Sequence, residues 1–524
     1  MTTSQMWAGK FNITDTDLDH LTNLLLERET PLSLDTLALA LIEKRLNDEA
    51  EKARKRYENI LLYRPSESYT VGQRIMFPAL DYSLATVTRE REGFNPQGGE
   101  FTVIGVAFDD EDETEREFAS GLTVEHLLND VDEASVAIPG IEQQSAEEIL
   151  AEHGEKVLDS LRKRLQENDD LISVAGKWFS RSLVLDMNEG QVNLAEAVLD
   201  IMGGGPLSPE AILEQIGSIG NGPIELQIYS LNYAMMHDPR FDEVGPVGQV
   251  LWYLARLEPD EVKQLPQILR YTPIEYDPNL LTAEMEALVA ELDDELSLIE
   301  PEQPRELDEA TIALIYPHRR AGTLPLNAKM RAVFPTALST PRVWVTLVDG
   351  QDGEESVGWV VREQRYVYGL NNLYRKHALP VGAFVTVRRG EQDGHIVIDF
   401  RSHRPRTEWV KLVTPKNNQL AFDEQKRSIG AEYDDLLILG TDNIEGVDAM
   451  GEQARQQKRA LASIIRIILG ELARFSPQSA VHAKTIYSAV NILRRCPPGP
   501  ILGTLVSNPD FEYVGNHYWK ISER

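Results

Sequence analysis

Arginine, lysine and aromatic side chains are the residues of this sequence best suited to act on another molecule. Between positions 311 and 416 stand Arg319, Arg320, Lys329, Arg331, Arg362, Arg365, Arg375, Lys376, Arg388, Arg389, Arg401, Arg404, Arg406 and Lys411. Tyr366, Tyr368, Tyr374 and Trp409 interleave with them. A guanidinium fork matches phosphate oxygens and the guanine edge. An aromatic ring among cations can stack an unpaired base, or it can fill a core. Near the C-terminus, Lys484, Arg494, Arg495, His517 and Lys520 form a second set suited to phosphate contact. Together these cations are the predicted nucleic-acid-binding residues.

The charge of the whole chain argues the other way. It has 52 Lys+Arg against 84 Asp+Glu and a net charge of −32. Phosphate polymers avoid such a surface. The distribution is uneven, however. Tyr316 to Lys416 carries 16 basic against 9 acidic residues, and Arg455 to Arg524 carries 10 against 4. Exposed charges are screened beyond about 8 Å at physiological salt, so a basic face can act independently of a distant acidic one. The bland alternative is uneven charge on solvated surfaces.

The elements that must position these residues follow from periodicity. Residues 1–65 read as helical, with "SLDTLALALIEKRL" beginning at a Ser cap. Residues 66–135 switch to period two in "YTVGQRIMF", "LATVTRE" and "EFTVIGVAF", which predicts a small β barrel or sheet. The run Asp109 to Glu117 reads as a solvated acidic loop. Residues 273–310 are predicted as an acidic helical linker and 417–452 as a second acidic linker. Between the linkers, "RVWVTLVDG", "ESVGWVVRE", "GAFVTVRRG" and "HIVIDFRSH" are strand candidates of a barrel-like basic module at 311–416. "GLNNLYRKHALPVG" reads there as a short helix ending in a turn.

An internal repeat organises the rest. "DPRFDEVGPVGQVLWYL" from Asp238 and "NPDFEYVGNHYWKI" from Asn508 share (Asp/Asn)-Pro-x-Phe-acid-x-Val-Gly, a turn and a strand with Trp. Phe241 matches Phe511, Gly245 matches Gly515, and Trp252 matches Trp519. "DDLISVAGKWFSRS" from Asp169 is a weaker copy with Trp178, lacking the Pro-x-Phe start. Short helices closing on a hairpin is the plan of a winged helix, with Phe and Trp covering the core and Gly making the wing turn. Such units are predicted at 136–272 and 453–524. They resemble the HARE-type winged helix of the bacterial RNA polymerase delta subunit and of chromatin- and restriction-linked proteins. That resemblance implies a transcription- or DNA-associated role, and the delta subunit is itself acidic. The helix followed by Leu-Pro-x-Gly and a strand at 369–382 resembles the DNA-binding pseudobarrel of plant auxin-response factors, with Ala383 where an Asp is common. The middle copy carries Glu210, Glu214, Asp242 and Glu243 and suits protein contact instead.

Catalytic patterns are missing. There is no Gly-x-x-x-x-Gly-Lys-(Ser/Thr) loop, no His-Glu-x-x-His and no Gly-x-Ser-x-Gly elbow. "GSIGNG" at Gly217 does not join a strand to a helix as a dinucleotide fingerprint must. "GGEF" at Gly98 is one acid short of the cyclase signature it resembles. The single cysteine, Cys496, excludes an intrachain disulfide and fits a reducing compartment. No apolar run approaches the roughly 20 residues of a membrane span.

The expectation is therefore an α+β multi-domain, cytoplasmic, non-enzymatic protein that binds DNA in a transcription-associated or regulatory role. No catalytic residue, metal or cofactor is expected. Its partners are DNA and, through acidic surfaces, RNA polymerase or another protein complex, and no membrane. Two alternatives stand beside it: an acidic protein-interaction scaffold, and a component of a DNA defence system with a dispersed nuclease centre.

Overall fold

The computed structural model describes residues 12–57, 60–80, 82–95, 99–109, 115–124, 126–129, 144–299, 307–416, 420–437, 439–476 and 478–522. Most of the predicted acidic loop at Asp109 to Glu117 and the first residue of "GGEF" lie outside them. The chain is an α+β, multi-domain protein of two compact units, Met1–Leu185 with Gly222–Tyr229, and Asp186–Asn221 with Ser230–Arg524. Among the described residues no helix is long and apolar enough to cross a membrane.

In the first unit, α1 (Asp15–Arg28) leads through β1 (Leu32–Ser33) into α2 (Leu34–Tyr57). Thr14 and Asp17 form a capping box on α1. The Ser33 hydroxyl accepts from the Thr36 amide at the start of α2. A five-stranded sheet follows, of β2 (Leu61–Leu62), β3 (Arg74–Phe77), β4 (Ser83–Asn95), β5 (Gly99–Phe108) and β6 (Arg116–Ser120), hydrogen-bonded in chain order. Its alternating pattern buries Tyr63, Ile75, Phe77, Val87 and Ile104 on one side. The chain then returns through α3 (Ala146–Gln166), β7 (Leu171–Val174) and β8 (Lys177–Ser180), and β8 pairs with both β7 and β1. Without the inserted sheet, the order is helix, strand, helix, helix, strand, strand.

That order recurs twice later in the chain; of the middle pass, residues 224–229 belong to the first unit and the rest to the second. The middle pass has α4 (Glu189–Ile201), α5 (Pro209–Ile216), α6 (Ile224–Met236), β9 (Phe241–Glu243) and β10 (Trp252–Leu254). A single bridge from Leu207 to Trp252 stands in for its first strand. Next come α7 (Ala283–Leu292) and a seven-stranded sheet. Its strands are β11 (Glu309–Ala313), β12 (Thr323–Pro325), β13 (Arg342–Asp349), β14 (Glu355–Val361), β15 (Tyr366–Tyr368), β16 (Phe384–Arg389) and β17 (His395–Asp399), in the order β11-β16-β17-β13-β14-β15-β12. Helices α8 (Tyr316–Ala321), α9 (Ala328–Val333) and α10 (Asn371–Lys376) fall in its connections. A ribbon of β18 (Ser402–Val413) and β19 (Phe422–Ala431) follows, with β20 (Leu439–Gly440) alongside β18. Then come α11 (Ile444–Gln456) and the last pass: α12 (Leu461–Leu472), β21 (Val481–His482), α13 (Ala483–Leu493), α14 (Pro498–Ser507), β22 (Phe511–Gly515) and β23 (Tyr518–Ile521), with β23 between β21 and β22.

The repeat read from sequence is exact in its hydrogen bonds, and the weaker copy belongs to it fully. Asn168, Asp238 and Asn508 each accept the amide two residues on, at 2.9, 3.0 and 2.9 Å. This side-chain turn ends the third helix and aims the next strand. The residue three positions on, Leu171, Phe241 or Phe511, is buried in each copy. Trp178, Trp252 and Trp519 are all buried, and each pairs with the first-strand residue, Leu32, Leu207 or Val481. The predicted glycine turn needs a correction. The outer two hairpins turn on left-handed pairs, Ala175-Gly176 and Asn516-His517, the conformation a two-residue hairpin loop requires. Gly515 precedes the latter turn.

Neither acidic segment is a linker. Leu281, Met285, Leu288 and Val289 belong to one core with Ile465, Ile486, Leu502 and Trp519. Phe422, Val447 and Met450, from the second segment, belong to the same core. Glu284, Glu286 and Glu291 of α7 face solvent while Met285, Leu288 and Val289 are buried, whereas Asp293, Asp294 and Glu295 just beyond the helix are themselves buried. Of the seven strands in the basic module, β13, β14, β16 and β17 are the predicted runs. The three-to-five-residue strands β11, β12 and β15 carried too short a pattern to read.

Candidate nucleic-acid interface

The structure disperses the predicted cations. In the C-terminal set, Arg495 has a fully buried side chain. It donates to Asp294 at 2.7 and 2.8 Å and to Glu295 at 2.7 Å. Tyr487 donates to Asp294 at 2.5 Å, and His318 stands 3.2 Å from Glu295. Burial opposes ionisation of Glu295, but Arg495 and His318 outweigh it and hold the carboxyl well below its usual range. Arg495 is thus a core residue and has no access to phosphate, a correction to its predicted role. Lys484 is also withdrawn, 2.5 Å from Glu291 and 2.9 Å from Asp434. Lys520 pairs with Glu512 at 3.3 Å, and Arg494 donates to the Arg459 carbonyl at 3.4 Å. His517 is half-buried in the turn, its ring 5.8 Å from that of His482. Burial, then His517, pushes His482 down to about 4.

The third helices are no better placed as readers. Among their residues α6 and α14 carry no Lys or Arg. Gly499 and Gly503 of α14 lie so close to Tyr276 that neither leaves room for a Cβ. The face of that helix is therefore covered by the chain's own segment. In α3, Arg162 pairs with Asp159, and Arg164 with Glu167 and Asp15.

In the seven-stranded module many cations brace the fold. Arg319 donates to the Leu379 and Tyr374 carbonyls and lies over the Tyr374 ring. Arg362 donates to the Thr340 carbonyl, Arg365 to that of Glu295, and Arg389 to those of Val333 and Ala332. Lys329 is half-buried, with its backbone amide on Asp293. Arg320 pairs with Asp448 and shares a cleft of about 690 Å³ with exposed Arg375. Arg331 and Arg389 line a different cleft of about 410 Å³. Arg388 is exposed and opposite Glu309 across the β11–β16 pair. Tyr366 and Tyr374 are core residues.

Asp349, Asp352 and His377 are the one group of possible metal ligands found among the described residues. The Lys376 ammonium already stands among their carboxylates, 3.1 Å from Asp349, 2.7 Å from Glu354 and bonded to Asp352. Those bonds, to Asp352 first, hold Lys376 protonated well above its ordinary range. Arg342, absent from the predicted set, bridges Asp242 at 2.7 Å and Glu258 at 2.8 Å. Burial, then Asp242, pushes Glu258 up to about 8.

What remains is the ribbon. Arg404 and Arg406 are exposed and Lys411 is half-exposed on β18, and Lys426 is exposed on β19. None has a carboxylate partner among the described residues. Arg401, beside them, is 81% exposed and reaches Glu432 only at 3.5 Å. Trp409 is 62% exposed, and Lys426 lies 5.1 Å from its ring centroid. Directly opposed residues share a face, so Thr407, Trp409 and Lys411 line up with Ser428, Lys426 and Glu424. The other face buries Val410, Leu412 and Ile429. Lys426 was missed in the sequence because its stretch reads as part of an acidic linker. No family model, curated protein or solved structure matches the chain.

Proposed function

We propose that this is a non-enzymatic DNA-binding protein of transcription-associated or regulatory type, whose DNA contact is the β18–β19 ribbon. The observation that carries the reading is the run of uncompensated cations on that ribbon: Lys411 and Lys426 share the face of an exposed tryptophan, while exposed Arg406, opposite Ile429, lies on the other face and exposed Arg404 precedes it on the same strand. A two-stranded ribbon is narrow enough to enter a major groove, and arginine contacts phosphate or guanine there. The three six-element passes are winged helices in this reading. The third helices of the middle and last passes carry no Lys or Arg, and the two arginines of α3 are paired with carboxylates, so the passes serve as protein-docking and framework modules, which leaves the acidic surfaces for a protein partner. The seven-stranded module is the pseudobarrel that presents the ribbon.

The test is a gel-shift titration of the full chain on duplex DNA across salt. Affinity should fall steeply with salt, and charge reversal of Arg404 and Arg406 should weaken it and flatten the slope. Binding that ignores salt, or that survives the reversal unchanged, would refute the ribbon as the contact.

A further inference from the structure

A two-stranded ribbon with an upright tryptophan can do more than hold phosphates. Trp409 lies in the middle of a strand, where a large ring is ordinarily covered by a second layer, yet 62% of it is open to solvent. No aromatic side chain packs on it among the described residues. Among the described residues its one ring partner is the Lys426 ammonium, 5.1 Å from the centroid. One Lys cannot cover both faces of an indole, so a flat surface remains for another π system.

The surroundings select the class of that π system. Lys411 lies two residues along the strand, on the same face, about 7 Å away by strand geometry. Thr407 and Ser428 add hydroxyls on that face, and Glu424 is its one acid. A planar stacking group flanked by cations and hydroxyls on an open sheet is the arrangement that holds nucleotides of a single strand. There each base offers its π face, and the backbone tracks the positive groups. A base inside a duplex is already stacked on its neighbours and cannot reach Trp409.

We infer that the Trp409 face stacks an unpaired base, so that the ribbon prefers single-stranded over duplex nucleic acid. This deepens the reading of the ribbon as a DNA contact and rests on it.

Fluorescence anisotropy of the full chain with a labelled 20-nucleotide oligothymidylate and a labelled 20-base-pair duplex tests the inference. The wild type should bind the single strand more tightly. Trp409→Ala should weaken single-strand binding about ten-fold, the effect of losing one base–aromatic stack, and leave duplex binding nearly unchanged. Trp409→Phe should retain most of the single-strand affinity, and its unchanged thermal midpoint would exclude a folding defect. Equal single-strand affinity in Trp409→Ala and wild type would overturn the stacking role. If duplex binding still fell on reversal of Arg404 and Arg406, the DNA reading would stand without it. Absence of binding to either probe would assign this face to a protein partner and overturn both.

Discussion

Arg495 and Arg404 are the same residue type in two regions that sequence scores as equally basic, and the fold gives them opposite tasks. Arg495 is enclosed with Asp294 and Glu295, some two hundred positions earlier in the chain. Arg404 is on the surface with no carboxylate partner among the described residues. The difference shows that a local excess of cations does not predict a positive surface. Acids from a remote segment can be folded onto it, as α7 and its C-terminal extension are folded onto α13 and α14. What matters is which cations lack a partner after folding.

The comparison can be broken most sharply at its buried end. Arg495→Ala would leave Asp294 and Glu295 as uncompensated buried charges, which typically costs about 3–5 kcal/mol. Chemical denaturation should show that loss, with no specific loss of nucleic-acid affinity in whatever fraction remains folded. A purely affinity-based defect would place Arg495 at the surface and contradict the contrast. At the exposed end, Arg404→Glu with Arg406→Glu should lower duplex affinity by about ten-fold or more at moderate salt. The thermal midpoint should stay within a degree or two, because neither side chain supports the core.

A third expectation concerns Glu258, which joins Arg342 of the seven-stranded sheet to the middle pass. Burial raises its folded pKa to about 8 from the ordinary 4.5. The folded state therefore holds a proton that the unfolded chain gives up. The associated stability is present below pH 4.5 and is lost as pH rises through about 8. The thermal midpoint should fall between pH 5.5 and 9, and Glu258→Gln should flatten that fall. A midpoint that rises over this range would reverse the assignment. The smallest effect is expected at Lys520, whose pair with Glu512 is largely solvated. Lys520→Ala should change stability by no more than about 0.5 kcal/mol and leave duplex affinity alone.

Much of the architecture was legible. The helices before the two strong hairpin copies, the four long strands of the central module and the Trp-centred repeat all follow from periodicity and turn residues; α3, before the first hairpin, was not read. Those signals are local: they depend on neighbours within a few positions. The short strands β11, β12 and β15 were not legible, since three to five residues hold too little pattern. The acidic segments were misread because charged solvent-facing residues on a helix, α7, and on a strand and helix, β19 and α11, give them the composition of a linker. The site fared worse than the fold. Tyr374 and Trp409 look alike as aromatics beside arginines, but one is wholly buried and the other open.

By itself, then, the sequence determined most of the longer elements, a strong hairpin motif in two copies with a weaker third, and the excess of acid over base; that the N-terminal helices complete the first copy came from the structure. Only the tertiary structure decided which charges cancel and which face water. Hydrophobic periodicity is written along the chain at spacings of two to four residues, whereas charge compensation depends on distance in space, and folding brings Asp294 and Arg495 into contact across 201 positions.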